Sequence, residues 1–303
     1  MFNQYSVEYN YSKVNKMKAT AFAPGHISGF FEPVYKQDIS RTGSRGAGIN
    51  TSLGAVSEVA VEASTKQLFE IFVNNKRIDD AVTKLTLKYL LGENPVHVIV
   101  NTKLDLPIGQ GFGMSAAGAL STALAVAKTT NLSNSDALKA AHFAEVQLKT
   151  GLGDVIACSF GGIEIRKSAG LPPWGLIEHI PGKYEMVLCV IGKKLDTKNI
   201  LTDSAKANKT AEYGKLCTKK ILENPSIENL FYLSQSFTKK TGLADPKVSK
   251  AIEAANQFGN ASMCMLGNSI FAIGKTDELC KTLSSCGVVY LCSVDEAGAR
   301  VIK

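Results

Sequence analysis

At 303 residues, 45% hydrophobic and 20% charged, the chain has room for two domains or one large one around a substantial core. Its 34 basic and 27 acidic residues leave a net charge of +7, but the lysines are scattered and no basic block interleaves with aromatics. That argues against a nucleic-acid footprint and leaves attraction of a small anionic substrate as the specific use of the charge.

No run approaches the roughly 18 apolar residues of a membrane span. Seven cysteines, an odd number without a Cys-x-x-Cys pair, argue against a disulfide scaffold and a structural zinc site, so a cytoplasmic protein is expected. Cys264, Cys286 and Cys292 read as small buried hydrophobes. Residues 1–19 are polar and tyrosine-rich, lack the apolar centre of a signal peptide, and read as an extension ahead of the fold.

From Thr20 the chain alternates short strand-like and turn-like pieces. In Ala23-Pro-Gly-His-Ile-Ser-Gly-Phe-Phe31, two glycines and a proline frame His26 and Ser28, which predicts a constrained loop presenting both side chains. Ser40-Arg-Thr-Gly-Ser-Arg-Gly-Ala-Gly48 sets Arg41 and Arg45 on glycine-rich backbone, a setting suited to bidentate carboxylate binding. Plain turns remain the alternative for both segments. Strands are expected at Val56–Val61 and Leu68–Val73, a turn at Asn74-Asn75, a helix over 79–91 ended by Gly92 and Pro95, and a strand at Val96–Val100.

Pro107-Ile-Gly-Gln-Gly-Phe-Gly-Met-Ser-Ala-Ala117 is the most informative stretch. It places glycines at 109, 111 and 113 directly before a run of small helix formers starting at about Met114. Such spacing predicts a tight loop that brings amides to an anion, with the helix N–H groups pointing into it; phosphate is the favoured anion. A glycine-rich turn before an ordinary buried helix is the alternative. The loop is not a Walker loop, because no lysine follows the glycines, nor the Gly-x-Gly-x-x-Gly of a dinucleotide fold. The Ser115 hydroxyl can bind phosphate or a phosphate-bound metal, or simply cap the helix.

Helices are predicted over 114–128 and 135–149, the second placing His142 and Glu145 three residues apart on one face. Asp154 follows a Thr150-Gly-Leu-Gly turn and stands immediately before an apolar run. The chain then passes Phe160 and Gly161-Gly162 into a strand ending at Arg166. Asp154 can cap a turn, and Glu145 can be a solvated carboxylate. Together, however, glycine amides, an oxygen ligand for Mg²⁺, a carboxylate for the attacking hydroxyl and a cation for an acidic acceptor are what phosphoryl transfer requires.

Glycines and prolines cluster over 170–184 and suggest a boundary. Beyond it come a strand at Glu185–Ile191, helices over 203–222, 226–240 and 247–257, strands at 262–267 and 269–274, a helix over 277–285 and a strand at 288–293. Extra helices aside, the order is β-α-β-β-α-β.

With those residues in place, the chain resembles the GHMP kinase superfamily. The family's central motif, Pro-x-x-x-Gly-Leu-Gly-Ser-Ser-Ala-Ala, is matched by Pro107–Ala117 and its N-terminal motif by Ala23-Pro-Gly-His26. Ala261-Ser-Met-Cys-Met-Leu-Gly-Asn268 sits where the third belongs. Met114 in place of the first motif serine, His26 where many members carry lysine or arginine, and Thr150-Gly-Leu-Gly-Asp-Val are similar to an archaeal branch that acts on pantoate.

The resemblance implies an α+β, two-domain fold, with a domain like domain 2 of ribosomal protein S5 over 20–180 and a ferredoxin-like domain over 181–303. It implies ATP as donor to the primary hydroxyl of (R)-pantoate, in coenzyme A synthesis, with homoserine or mevalonate as alternative acceptors and a non-catalytic nucleotide sensor as the competing class. Carried over by position, Pro107, Gly109, Gly111, Phe112, Gly113, Met114, Ser115 and Ala116 would hold the ATP phosphates. Ser115 and Glu145 would contact Mg²⁺, and Asp154 would orient or deprotonate the acceptor. Ser28, His26, Arg45, His142 and Arg166 would meet pantoate. The habit of related kinases implies a homodimer.

Overall fold

A computed structural model describes residues 16–193 and 204–303. The extension expected over 1–19 lies outside the described residues up to position 15, and the chain enters its first strand at Met17. The start of the helix predicted from 203 also falls outside them.

Two long strands replace the short pieces expected after Thr20. β1 (Met17–Val34) and β2 (Gly43–Ala63) pair antiparallel along nearly their whole length. Ala23–Phe31 is therefore strand and not a presenting loop. Its glycines and Pro24 sit where the register shifts, between Pro24 and Gly25 and between Ser28 and Phe30. At such bulges a proline or a missing side chain is tolerated. The alternating pattern of a half-exposed strand is absent because β1 is buried on both faces, with α2 (Met114–Thr130), α5 (Ser204–Glu223) and α6 (Ile227–Thr241) packed along it.

The first sheet continues through β3 (Leu68–Val73), β4 (Lys76–Arg77) and β5 (Val96–Leu104), with α1 (Ala81–Leu91) as the crossover that lets β3 and β5 run parallel. With β12 (Arg300–Val301) at one edge, the strand order is β12-β1-β2-β5-β3-β4, and β6 (Ile163–Ser168) and β7 (Leu176–Ile180) are added beside the first half of β2. α3 (Asn134–Leu148) opens with a Ser133–Asp136 capping box and packs on α1 and α2. α2 is buried almost all round, so alanine, serine, threonine and glycine fill it where larger side chains would not fit between sheet and helices.

The second sheet has the order β11-β8-β10-β9 and is antiparallel throughout, from β8 (Glu185–Val190), β9 (Gly259–Met263), β10 (Ser269–Gly274) and β11 (Val288–Ser293). α7 (Pro246–Ala255) and α8 (Thr276–Ser284) pack against it, and the strand arrangement is that of the predicted ferredoxin-like unit. Aromatic contacts join the two halves, with Phe30 and Phe31 lying 6.5 and 6.0 Å from Phe237 between ring centroids; inside the second half, Phe231 lies 4.9 Å from Phe271.

The chain then returns to the first sheet. β12 (Arg300–Val301) pairs with Ala21 and Phe22, and the Arg300 guanidinium sits 4.7 Å over the Phe22 ring. Among the described residues no helix is long and apolar enough to cross a membrane.

Candidate active site

β2 pairs with β5 from Ala55 onward and with β6 over Gly46–Ile49, so the sheet opens where it changes partner. The glycine loop enters at that opening, and the His26 amide donates to the Phe112 carbonyl at 3.0 Å. Gly109, Gly111 and Gly113 all have positive φ, at 77°, 77° and 62°. A Cβ on Gly111 would also come within 2.8 Å of the Met265 carbonyl, so the approach itself requires glycine there.

Burial alternates along the loop. Phe112, Met114 and Ala116 are buried anchors, while Gly109, Gly111, Gly113 and Ser115 are only half-buried. Gly113 is the N-cap of α2 and no side chain caps that helix, which leaves its first-turn amides to an outside acceptor, as phosphate binding requires. The second sheet braces the loop from behind: Ser269 Oγ donates to the Gln110 carbonyl at 2.5 Å, and Gln110 Nε2 donates to Gly192 O at 2.9 Å. The third motif thus supports the loop from the β9–β10 turn.

In the first turn of α2, the Ser115 hydroxyl donates to Glu145 Oε1 at 2.5 Å. Glu145 is buried, and burial pushes its carboxyl up to about 7, helped by the Asp154 charge and opposed by Ser115. These two oxygen donors beside uncapped amides suit Mg²⁺, a hard cation that accepts one or two carboxylates and completes its shell with phosphate and water. No group of three His, Cys, Asp or Glu side chains that could hold a metal occurs among the described residues, so the chain would supply only part of such a shell.

A pH prediction follows from Glu145. Its folded-state value of about 7 stands above the ordinary 4.5, so the proton held in that window favours the folded state. The contribution is complete below about 4.5 and is lost as pH rises through about 7. In EDTA, the melting temperature of wild type therefore falls relative to that of Glu145→Gln between those values, and the variant is the more stable of the two on the alkaline side. Parallel melting curves for the two proteins would refute the assignment.

Asp154 opens α4 (Asp154–Phe160), a helix where the sequence suggested only a turn. At seven residues it is too short to show periodicity, and its N-cap is Gly153 instead of a side chain that signals a helix start. Asp154 Oδ1 lies 2.6 Å from His26 Nδ1, and the Asp154 side chain remains 30% exposed. Burial alone would raise its carboxyl, but the His26 contact and the Arg166 charge hold it below the usual range.

His26 is fully enclosed, and its Nε2 lies 2.8 Å from Glu164 Oε1. Burial would lower its value; the hydrogen bonds to Asp154 and Glu164 outweigh that and raise it. Arg166 Nη1 pairs with the same Glu164 oxygen, and Arg166 Nη2 donates to Ser28 Oγ at 3.0 Å.

The fold therefore gathers His26, Ser28, Asp154 and Arg166 into one cluster beside the Ser115–Glu145 pair. Arg45 is turned away from it. Gly46 and Gly48, its neighbours along β2, are the positions whose Cβ would meet Arg166 and His26, so Arg45 projects to the other face, where it pairs with Glu32 at 2.9 Å.

His142 is buried, with Nε2 lying 3.1 Å from the Thr42 carbonyl and 3.3 Å from that of Ile39, and burial lowers its value. It secures the backbone between β1 and β2. A groove of about 560 Å³ lined by Leu124, Leu138, Phe160, Pro173 and Trp174 shares no residue with the cluster.

Glu164 was missed from the sequence. In Ile163-Glu164-Ile165-Arg166 the two apolar residues share one face of β6 and the ion pair shares the other. The alternation was visible; that both faces are buried was not.

Residues 76–162 match the family described as GHMP kinases N terminal domain. The chain is 35% identical over 275 residues to Pantoate kinase of Methanocaldococcus jannaschii, covering 90% of this chain and 99% of that protein. It is also 35% identical over 274 residues to Pantoate kinase of Thermococcus kodakarensis, covering 86% and 89%. A solved structure described as a phosphotransferase related to the CoA biosynthesis pathway superposes with a TM-score of 0.86 at 30% identity, over 94% of this chain and 99% of that one. Similarity at this level extends over nearly the whole chain, and on that basis the chain belongs to the pantoate kinase family of GHMP kinases.

Proposed function

We infer that the chain transfers the γ-phosphoryl group of ATP to the primary hydroxyl of (R)-pantoate, giving (R)-4-phosphopantoate for coenzyme A synthesis. The observation that carries this reading is an ionised, partly open Asp154 set against His26, beside an uncapped helix whose first turn bears Ser115.

In this reading the amides of the 109–116 backbone hold the ATP phosphates, and the buried side chains of Phe112, Met114 and Ala116 fix the loop while Pro107 leads into it. Ser115 and Glu145 would hold Mg²⁺, which supplies neutralisation of phosphate charge. Asp154 accepts a hydrogen bond from the pantoate hydroxyl and takes its proton as the new O–P bond forms and the bond to the ADP oxygen breaks. A loose transition state places little demand on its basicity, so a depressed carboxyl serves. Ser28 and Arg166 face the pantoate carboxylate, and His142 acts by shaping the Ile39–Thr42 wall. Arg45, held by Glu32, takes no part.

An acceptor panel tests the substrate. Pantoate is expected to exceed homoserine and mevalonate in kcat/KM and to yield one ADP per phosphorylated acid, with turnover lost in EDTA and restored by Mg²⁺. A better acceptor than pantoate would overturn the assignment, and ATP binding without acceptor-dependent turnover would favour the nucleotide sensor.

We further propose a cytoplasmic homodimer whose domains part near residue 180, with the C-terminal tail completing the first sheet. Sedimentation at micromolar concentration checks the assembly. A persistent species near 32.4 kDa would reject the dimer and leave the kinase reading intact.

A further inference from the structure

Glu164 lies outside the recognised motifs, yet both cations of the cluster converge on it. Its Oε1 is shared by His26 Nε2 and Arg166 Nη1, and its side chain is wholly buried. Among the described residues its Oε2 has no hydrogen-bond partner, so this is a charge placed at some cost. The other ring nitrogen of His26 faces the Asp154 carboxylate. A neutral imidazole carries one N–H. With carboxylates on both nitrogens, a neutral ring would turn a lone pair toward one of them. Only the doubly protonated ring satisfies both.

The surroundings of His26 support this arrangement. Asp154 reaches it from α4, and Glu164 and Arg166 from β6. Cys158 lies on the same helix as Asp154, its thiol driven well up by burial, and Glu145 on α3 adds a further acidic group near Asp154. On β2, a Cβ at Gly48 would come within 2.5 Å of His26 Nε2 and 2.8 Å of Glu164 Oε1. On the glycine loop, a Cβ at Gly113 would come within 3.2 Å of the His26 Cβ. Space for the histidine–glutamate contact is thus kept by an absent side chain, an observation independent of the charges.

Building on the phosphotransfer reading, we propose that Glu164 is a positioning residue that keeps His26 as an imidazolium against Asp154 and holds Arg166 beside Ser28. Without that carboxylate, Arg166 Nη1, already 3.1 Å from His26 Nε2, becomes the donor to that nitrogen. The ring then keeps one proton, on Nδ1. Asp154 loses the neighbouring positive charge that holds it ionised and aligned, and Arg166 loses the anchor that aims it at the acceptor carboxylate.

Nitrogen NMR of the full chain labelled at histidine, free of nucleotide and metal, tests this directly. The chain has four histidines, so His26 is assigned by single substitutions. At about pH 8, above the ordinary histidine value of 6.5, both His26 nitrogens should carry protons in wild type, whereas Glu164→Gln should retain only Nδ1–H. In steady-state assays Glu164→Gln should lower kcat roughly 10- to 100-fold, as for other groups that orient a functional side chain, with little change in KM for ATP. The alkaline fall of its kcat should move to lower pH by about one unit or more, since a carboxylate beside the imidazolium is removed. Glu164→Asp, which keeps the charge, should hold that limb near the wild-type position.

A role confined to folding would reduce the folded fraction without moving the pH profile, and an unmoved profile overturns the proposal. If the variants do not fold, wild-type NMR decides: a singly protonated His26 overturns it. The NMR outcome does not depend on which acceptor is phosphorylated, so failure of this proposal and failure of the pantoate reading are distinguishable.

Discussion

Asp154→Asn is expected to lower kcat by about 10³-fold, within the range for losing a positioned acid–base group, while ATP affinity changes by less than about threefold. The substitution keeps the shape of the side chain and retains an oxygen that can accept from His26 Nδ1, now 2.6 Å from Asp154 Oδ1, so the helix start and the buried histidine stay in place. It removes the negative charge beside the imidazolium and the ability to take the acceptor proton. Nucleotide affinity is spared because the phosphate-side groups belong to a separate stretch, the loop and first turn of α2. Single-turnover measurement with saturating ATP isolates the chemical step. Near-normal turnover under those conditions would remove Asp154 from the mechanism.

Arg166→Ala should be the most damaging single change to stability, costing about 3–5 kcal/mol, the usual effect of stranding one member of a buried ion pair. Arg166 is 2% exposed and Glu164 0%, so no water replaces the lost guanidinium around a carboxylate that already has one oxygen unpartnered among the described residues. Urea titration reads the loss. Adding Glu164→Gln to Arg166→Ala should recover most of it, because the stranded charge is then gone, and the two changes should be strongly non-additive. Simple additivity would mean that the two groups are not coupled.

The same Arg166→Ala change, assayed where the chain remains folded, should raise the KM for pantoate at least about 30-fold, the lower end of the cost of unpairing a buried carboxylate, with KM for ATP little altered. Equal effects on both substrates would place Arg166 outside the acceptor site.

The parts of this protein legible in its sequence are those whose signal is local. The glycine loop announces itself because positive φ at alternate positions and an uncapped helix start require glycine whatever lies beyond. The split βαβ unit was readable because each helix and strand carries its own period, although the β9 strand sits a few residues earlier than expected, at Gly259–Met263. Ser115, Glu145 and Asp154 were found as residue types suited to one chemistry, near a loop suited to phosphate.

Burial, pairing and charge state were decided by the tertiary structure. Ala23–Phe31 looks like a loop because glycine and proline carry the same local signal at a bulge as in a turn; only the helices packed along β1 make it a buried strand. His26 reads as a presented side chain until β6 and α4 bring Glu164 and Asp154 to its two nitrogens across separations of more than a hundred residues. Arg45 and Arg166 are both arginines on strand-forming backbone, and the alternating faces of β2 and β6 send one to Glu32 and the other into the cluster. The sequence by itself determined a glycine loop suited to phosphate and acidic residues near it in the chain. Which carboxylate faces which cation depends on contacts between strands and helices distant in sequence, and no local pattern encodes the low-dielectric enclosure that sets their charges.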